Sequence, residues 1–174
     1  MPQLLQCLIL AALTLGLPVD TLGPARLSAL PDALVLTRVV QGAWDDEDDL
    51  LNEAFEAVEQ AAQQRGLLLG TKRVVIREVM GPKTFKSRAG YVIETYAQPA
   101  VLGNGLELHK LPHAKAWVAD GKGDADALTK TRRRVLDEVE KPGVNRFQGV
   151  ELLEIFDGDP DEDATPFAIY APIK

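Results

Sequence analysis

Glu154 stands in the middle of an apolar run, Leu152-Leu153-Glu154-Ile155-Phe156. In a strand, alternate side chains share a face, so Leu152, Glu154 and Phe156 point one way and Leu153 and Ile155 the other. One of those faces must pack on the helices. If Leu153 and Ile155 do so, Glu154 and Phe156 reach the opposite, open face. A carboxylate beside an aromatic ring on a concave surface suits an organic cation or a polar hydrogen-bonding ligand. An ordinary solvent-facing glutamate on a one-sided sheet has the same pattern, and both readings stay open at this level.

The other chemically capable residues say less. His109 and His113 are the only histidines. Pro112 between them argues for an extended segment, which puts the two rings about 13 Å apart, too far to share a metal. They are expected to be exposed or incidental. No Ser/His/Asp arrangement, GxSxG elbow or P-loop occurs, and Gly66 to Gly70 lacks the Gly-Lys-Ser/Thr ending. Arg132-Arg133-Arg134 with Lys130 is the one basic cluster. At about 100° per helical residue these side chains fan out, which predicts a solvated face with a pair to Asp137 or Glu138. The acidic run Asp45 to Asp49 lacks the alternating ligands and central glycine of a calcium loop and reads as a helix start. A single cysteine, Cys7, excludes an internal disulfide and a multi-cysteine zinc site.

The chain has 174 residues, the size of one domain, and 46% are apolar, enough for a packed core. Its formal charge is -7, from 19 Lys+Arg and 26 Asp+Glu. That balance argues against nucleic acid, whose binding needs clustered cations. Residues 4–17 carry no charge. This length suits a secretory apolar core better than a membrane span of about 20 residues, although no A-x-A cleavage site follows. A buried first helix is the alternative. The expectation is a leader or membrane anchor over residues 1–19, placing the protein on the extracytoplasmic side, and a Pro- and Gly-containing linker over 20–32. Residues 33–174 then form the globular domain.

That domain must position Glu154. Ala33 to Gln41 reads as a strand. Asp45 to Arg65 reads as a helix with Leu51, Ala54, Phe55, Val58 and Ala62 inward and Gly66 closing it. Val74 to Met80 and Gly90 to Ala97 are expected strands, joined by a loop over 81–88. Leu106 to Ala119 is mostly extended, with Pro112 marking an edge or bulge. Asp124 to Lys141 reads as a second helix, with Leu128, Thr131, Val135, Leu136 and Val139 inward. Val150 to Phe156 and Phe167 to Ile173 are the last strands, around an acidic loop. A shift of 77 places Leu51 on Leu128, Val58 on Val135 and Gly66 on Gly143, and a shift of 76 places Glu78 on Glu154. The predicted fold class is α+β: duplicated βαββ units forming one mostly antiparallel sheet, with two helices on one face.

Several short stretches carry a resemblance to a known family. Val39-Val40-Gln41-Gly42-Ala43-Trp44 resembles a Gly-Pro-Tyr turn before a first helix, with Ala43 and Trp44 in place of Pro and Tyr. Lys122-Gly123-Asp124 is similar to the turn before the second helix. Ser87 to Val92 looks like a segment entering a third strand. Leu153-Glu154-Ile155-Phe156 resembles an aromatic-Glu-aliphatic-Tyr strand, and Ala171-Pro172-Ile173 a Pro-containing final strand. The family is the GyrI-like small-molecule-binding superfamily, which shares its duplicated βαββ fold with SOUL haem-binding proteins.

The resemblance implies a cleft between the two units that binds a hydrophobic or cationic small molecule, with Glu154 as the ligand carboxylate. By strand position Trp44, Tyr91, Trp117 and Phe156 are the expected cleft aromatics. No metal and no resident cofactor are implied, no nucleic acid is expected as partner, and membrane association rests on residues 4–17. The first expectation is thus a non-catalytic binding module, exported or anchored. Two alternatives stand beside it: a hydrolase of strained electrophiles using Glu154 to activate water, and a haem binder.

Overall fold

The computed structural model describes residues 21–160, 162 and 165–174. The expected leader, residues 1–19, lies outside the described residues. Among the described residues no helix is long and apolar enough to cross a membrane. Within the stretch expected to be a linker, Thr21–Leu22 (β1) and Arg26–Ala29 (β2) are instead short strands that pair with β8, Lys115–Lys122.

The first unit runs β3 (Leu34–Ala43), α1 (Glu47–Arg65), β4 (Leu69–Met80) and β5 (Thr84–Ile93). A hairpin, β6 (Ala100–Gly103) and β7 (Leu106–Lys110), follows. The second unit runs β8, α2 (Ala125–Val139), β9 (Leu152–Asp157) and β10 (Pro166–Ile173). The strands lie in the order β1-β8-β10-β9-β4-β5-β3-β7-β6, with β2 also on β8, and every pairing is antiparallel. Each unit thus orders its strands identically outward from the central β4–β9 pair. Pro112 marks no bulge; it falls between β7 and β8, where the chain crosses from one half of the sheet to the other.

Local chemistry accounts for the helix limits. Glu47, Asp48 and Asp49 occupy the first turn of α1, where unpaired amides favour negative charge. Gly66 ends it at φ 64°, a left-handed conformation that lets its N–H reach back to the last carbonyls. Asp124 caps α2, its carboxylate accepting from the backbone N–H groups of Asp126 at 3.0 Å and Ala127 at 3.1 Å. The expected 81–88 loop is mostly strand: β5 begins at Thr84, and Phe85 and Ser87 alternate inward. Gly90 of β5 lies opposite Thr37 so closely that a Cβ there would sit 1.9 Å from the Leu36 carbonyl oxygen.

Both helices cover one face. Alpha-helix residues Phe55, Val58, Val135 and Val139 share a core with Leu36, Val75, Leu152 and Phe156 of the sheet. On the other face Val35, Val74, Ile76, Leu153 and Ile155 form a second cluster under Leu30 and Leu111. Helix α1 rests on β3 and β5, and α2 on β8 and β10. The middle pair, β4 and β9, is left open between them.

Candidate functional site

That opening is a cleft of about 470 Å³. Val75 and Phe156 form part of its floor; Leu51 and Phe55 of α1, Leu128 of α2, and Phe167 supply further apolar wall. Glu154 lies in it. The face is the reverse of the one expected: Glu154 and Phe156 point toward the helices, and Leu153 and Ile155 pack on the far side. The pleat was read correctly, but the face carrying the carboxylate is the one the helices cover. Glu154 avoids the apolar core because β9 runs through the gap between them.

Burial of Glu154 is complete, at 0% exposure. Arg132 of α2 holds it with two bonds, Nε to Oε1 at 2.6 Å and Nη2 to Oε2 at 2.9 Å. Arg77 of β4, 2% exposed, donates from Nη2 to Oε2 at 3.1 Å. The other amino group of Arg77 bonds Glu47 at the start of α1 and lies 3.5 Å from Ser87 Oγ. Four alternating charges, Glu47, Arg77, Glu154 and Arg132, therefore cross the cleft from helix to helix. Desolvation alone would push the Glu154 carboxyl up, but the charges and hydrogen bonds of Arg132 and Arg77 outweigh it and hold the group down at about 2. The same pairing raises Arg132 against its own burial.

Arg132 is a correction to the expected solvated face. Arg133 behaves as expected, pairing with Asp137 at 2.7 Å, and Arg134 reaches the backbone of Leu22 and Gly23. Arg132 instead turns inward. The signal was present: it lies four residues after Leu128 and four before Leu136, on the apolar side of α2. Arg77 carried a similar signal, a lone cation in the strand Val74-Val75-Ile76-Arg77.

Of the expected aromatics, Phe156 lines the cleft, with its ring 6.3 Å from Phe167. Trp44, Tyr91 and Trp117 do not line it. Trp44 donates from Nε1 to the Gly81 carbonyl at 2.9 Å and packs on Phe85. Tyr91 sits edge-on to Phe55 with its hydroxyl on Glu59; burial first, then that carboxylate, pushes its pKa up to about 12. Trp117 lies under the ammonium of Lys141, 5.9 Å from the ring centre. Each is tied to structure, and Phe55, Phe167 and Leu128 take the cleft positions. His109 lies on the opposite face of the sheet, half-buried rather than exposed, and His113 is exposed. Among the described residues no group of three or more His, Cys, Asp or Glu could hold a metal.

Two βαββ units with their helices on one face and a cleft along the central strand pair define a recurring architecture, and solved structures share it. The chain superposes on the crystal structure of the EcmrR C-terminal domain with a TM-score of 0.66 at 15% identity, covering 87% of this chain and 98% of that one. The two chains share one fold. Against the longer EcmrR chain in its DNA complex the TM-score is 0.64 at 15% identity, and the match spans 86% of this chain but 57% of that one. The same fold is found again in SAV2435 bound to tetraphenylphosphonium, at a TM-score of 0.52 and 13% identity, over 86% of this chain and 93% of that one. No family model and no curated protein matches the sequence. At such identities the likeness is one of fold, and the expected α+β class is the one observed.

Proposed function

We propose that this GyrI-like domain is a non-catalytic module that binds a small apolar organic cation in the cleft between α1 and α2. The observation that carries the reading is the make-up of the cleft. Its walls are aromatic and aliphatic, and its charged groups are five carboxylates (Glu47, Asp48, Asp124, Glu154, Glu162) against two guanidiniums (Arg77, Arg132). An apolar cation gains from both: burial of its body and attraction of its charge to rings and carboxylates. SAV2435, of the same fold, is described bound to tetraphenylphosphonium, a cation of this kind.

Isothermal titration of the full chain with tetraphenylphosphonium tests the proposal, with triphenylphosphine oxide as the neutral comparison. Saturable one-site binding that prefers the cation, and weakens several-fold in Asp48→Asn with Glu162→Gln, is the expected result. Equal affinity for both compounds, or no saturation, overturns it.

The geometry speaks against the catalytic alternative. A general base in water activation needs a carboxyl raised toward neutrality, and Glu154 is held at about 2 with both oxygens bonded. Haem binding lacks an imidazole in the cleft among the described residues. Export or anchoring through residues 4–17 is a separate part of the proposal, supported by the uncharged apolar run. Fractionation of expressing cells tests it, and recovery wholly in the soluble cytoplasmic fraction overturns it.

A further inference from the structure

The register of the central strand pair fixes an axis. Ile76 faces Leu153 across β4 and β9, and the shift of 77 that aligns the helices carries Ile76 onto Leu153. An approximate two-fold axis therefore passes through the sheet at this pair, and equivalent residues lie on opposite sides of it. Glu47 and Asp124 are such equivalents, as are Leu51 and Leu128, and all four line the cleft. The start of α1 stands at the end of the sheet where Ala43 faces Thr84 and β4 turns into β5. The start of α2 stands at the other end, where Lys122 faces Pro166 beside the β9–β10 loop.

The two ends of the cleft offer a ligand different things. Toward the start of α1 the charges are already matched: Arg77 bonds Glu47, and Arg132, which also feels Glu47 and Asp48, bonds Glu154. Toward the start of α2 the lining holds Asp124 and Glu162 with no cation among the described residues. Both cap bonds of Asp124 end on Oδ1, so Oδ2 is available. The β9–β10 loop sets Glu162 in place, its N–H donating to the Asp159 carbonyl at 3.2 Å and its carbonyl accepting from Thr165 N–H at 3.2 Å. Phe156 and Phe167 lie at the same end, their ring centres 6.3 Å apart. Arg73 stays outside the lining; it lies over the Phe55 ring, 5.0 Å from its centre, and is paired with Asp159 at 2.7 Å.

Building on the reading of the cleft as a cation site, we propose that its ligand is an elongated aromatic cation charged at one end, whose head sits at the α2 end between Asp124 and Glu162 and against Phe156 and Phe167. The uncharged body then crosses the axis over Leu128 and Leu51. From Asp124 to Arg132 helix α2 runs about 12 Å, room for two rings in line. A head at this end gains carboxylates and ring faces together. At the α1 end it would meet two guanidiniums and have to break ion pairs already formed. Glu154, with both oxygens bonded to arginine, takes no part in holding the head.

(4-Phenylbenzyl)trimethylammonium is the probe, titrated into the full chain by calorimetry and followed by NMR. The expected result is saturable binding, with Overhauser contacts from the N-methyl protons to the Phe156 and Phe167 rings and from the biphenyl protons to the Leu51 methyls. Glu162→Gln should weaken it several-fold, and so should Asp124→Asn, in which asparagine keeps the helix cap. Both losses should exceed that in Asp48→Asn, which removes the same charge at the other end. No saturable binding of the probe, N-methyl contacts to Leu51 in place of the two rings, or a greater loss in Asp48→Asn than in Glu162→Gln overturns the proposal. Any of these with tetraphenylphosphonium still preferred over triphenylphosphine oxide leaves the wider reading standing; loss of that preference overturns both.

Discussion

Arg77 and Glu154 occupy equivalent positions in the two βαββ units and are bonded to each other. The registers establish the equivalence. Gly42 faces Phe85 and Gly121 faces Phe167; two residues further on, Ser87 faces Arg77 and Ile169 faces Glu154. In both units a Cβ on the glycine would strike its own unit's core: Leu50 at 2.5 Å from Gly42, Phe167 at 2.3 Å from Gly121. Between β4 and β9 the offset is therefore 77, the same as in the helices, and not the 76 that aligns Glu78 with Glu154; Glu78 lies on the opposite face. One unit supplies a cation, the other an anion, and the pair joins the halves at the floor of the cleft.

Removing one partner should cost more than removing both. Glu154→Leu leaves the 2%-exposed Arg77 with Glu47 but without its buried carboxylate, and loss of one member of a buried pair costs about 3–5 kcal/mol. Arg77→Met strands Glu47 and weakens the hold on Glu154. Combining Arg77→Met with Glu154→Leu removes both charges, and Arg132, 20% exposed, can turn toward solvent. Urea denaturation should show the double variant less destabilised than the sum of the singles by at least about 1 kcal/mol. Strict additivity would contradict the pairing.

Acid should release the stabilisation held by Glu154. Its folded pKa, about 2, lies below the ordinary value of 4.5, so the folded state binds its proton less readily than the unfolded chain. The contribution is present in full above about 4.5 and fades as pH falls toward 2, amounting to roughly 3 kcal/mol. Stability measured from pH 6 to pH 2 should fall more steeply in the unsubstituted chain than in Glu154→Gln. Parallel curves would mean that this carboxylate is not held as described.

Arg132 occupies Glu154 from the cleft side and so competes with any cationic ligand for that charge. In Arg132→Leu the carboxylate retains only Arg77. Affinity for tetraphenylphosphonium should then rise by about tenfold or more, or about 1.4 kcal/mol. Arg132→Lys, which gives up the two-bond fork but keeps the charge, should fall between. An affinity that drops on removing Arg132 would mean that this guanidinium shapes the site and does not compete for the Glu154 charge.

Two glycines should respond to alanine in different degree. At Gly90 the new methyl would meet backbone of β3, with Leu36 oxygen at 1.9 Å and Thr37 Cα at 2.8 Å, and neither can yield without separating the strands. A loss above about 4 kcal/mol is expected. At Gly66 nothing lies within 4 Å and only the left-handed φ of 64° is strained, so about 1 kcal/mol is expected. Thermal unfolding of Gly90→Ala and Gly66→Ala checks the order, and a reversal would refute the register of β3 on β5.

Much of this architecture was legible in the chain. Helix α1 follows from its apolar spacing, its acidic first turn and Gly66, all of which act within a few residues. The duplicated order of elements was readable for the same reason, since each unit repeats one local pattern. Strand β5 was misread because Lys86 and Arg88 look like loop residues; they are strand positions whose charges pair with Glu78 across the β4–β5 ladder. That partner is remote in sequence, so no local window contains it.

The sequence by itself determined the order of elements within the two units, the helix limits and the pleat that sets Glu154 with Phe156, because propensity, capping and alternation operate between near neighbours. Only the tertiary structure decided which face the helices cover, where they part, and that Arg132 and Arg77 meet at Glu154. Those outcomes depend on packing and charge pairing between residues 22 and 77 positions apart, which become neighbours only when the two units share one sheet.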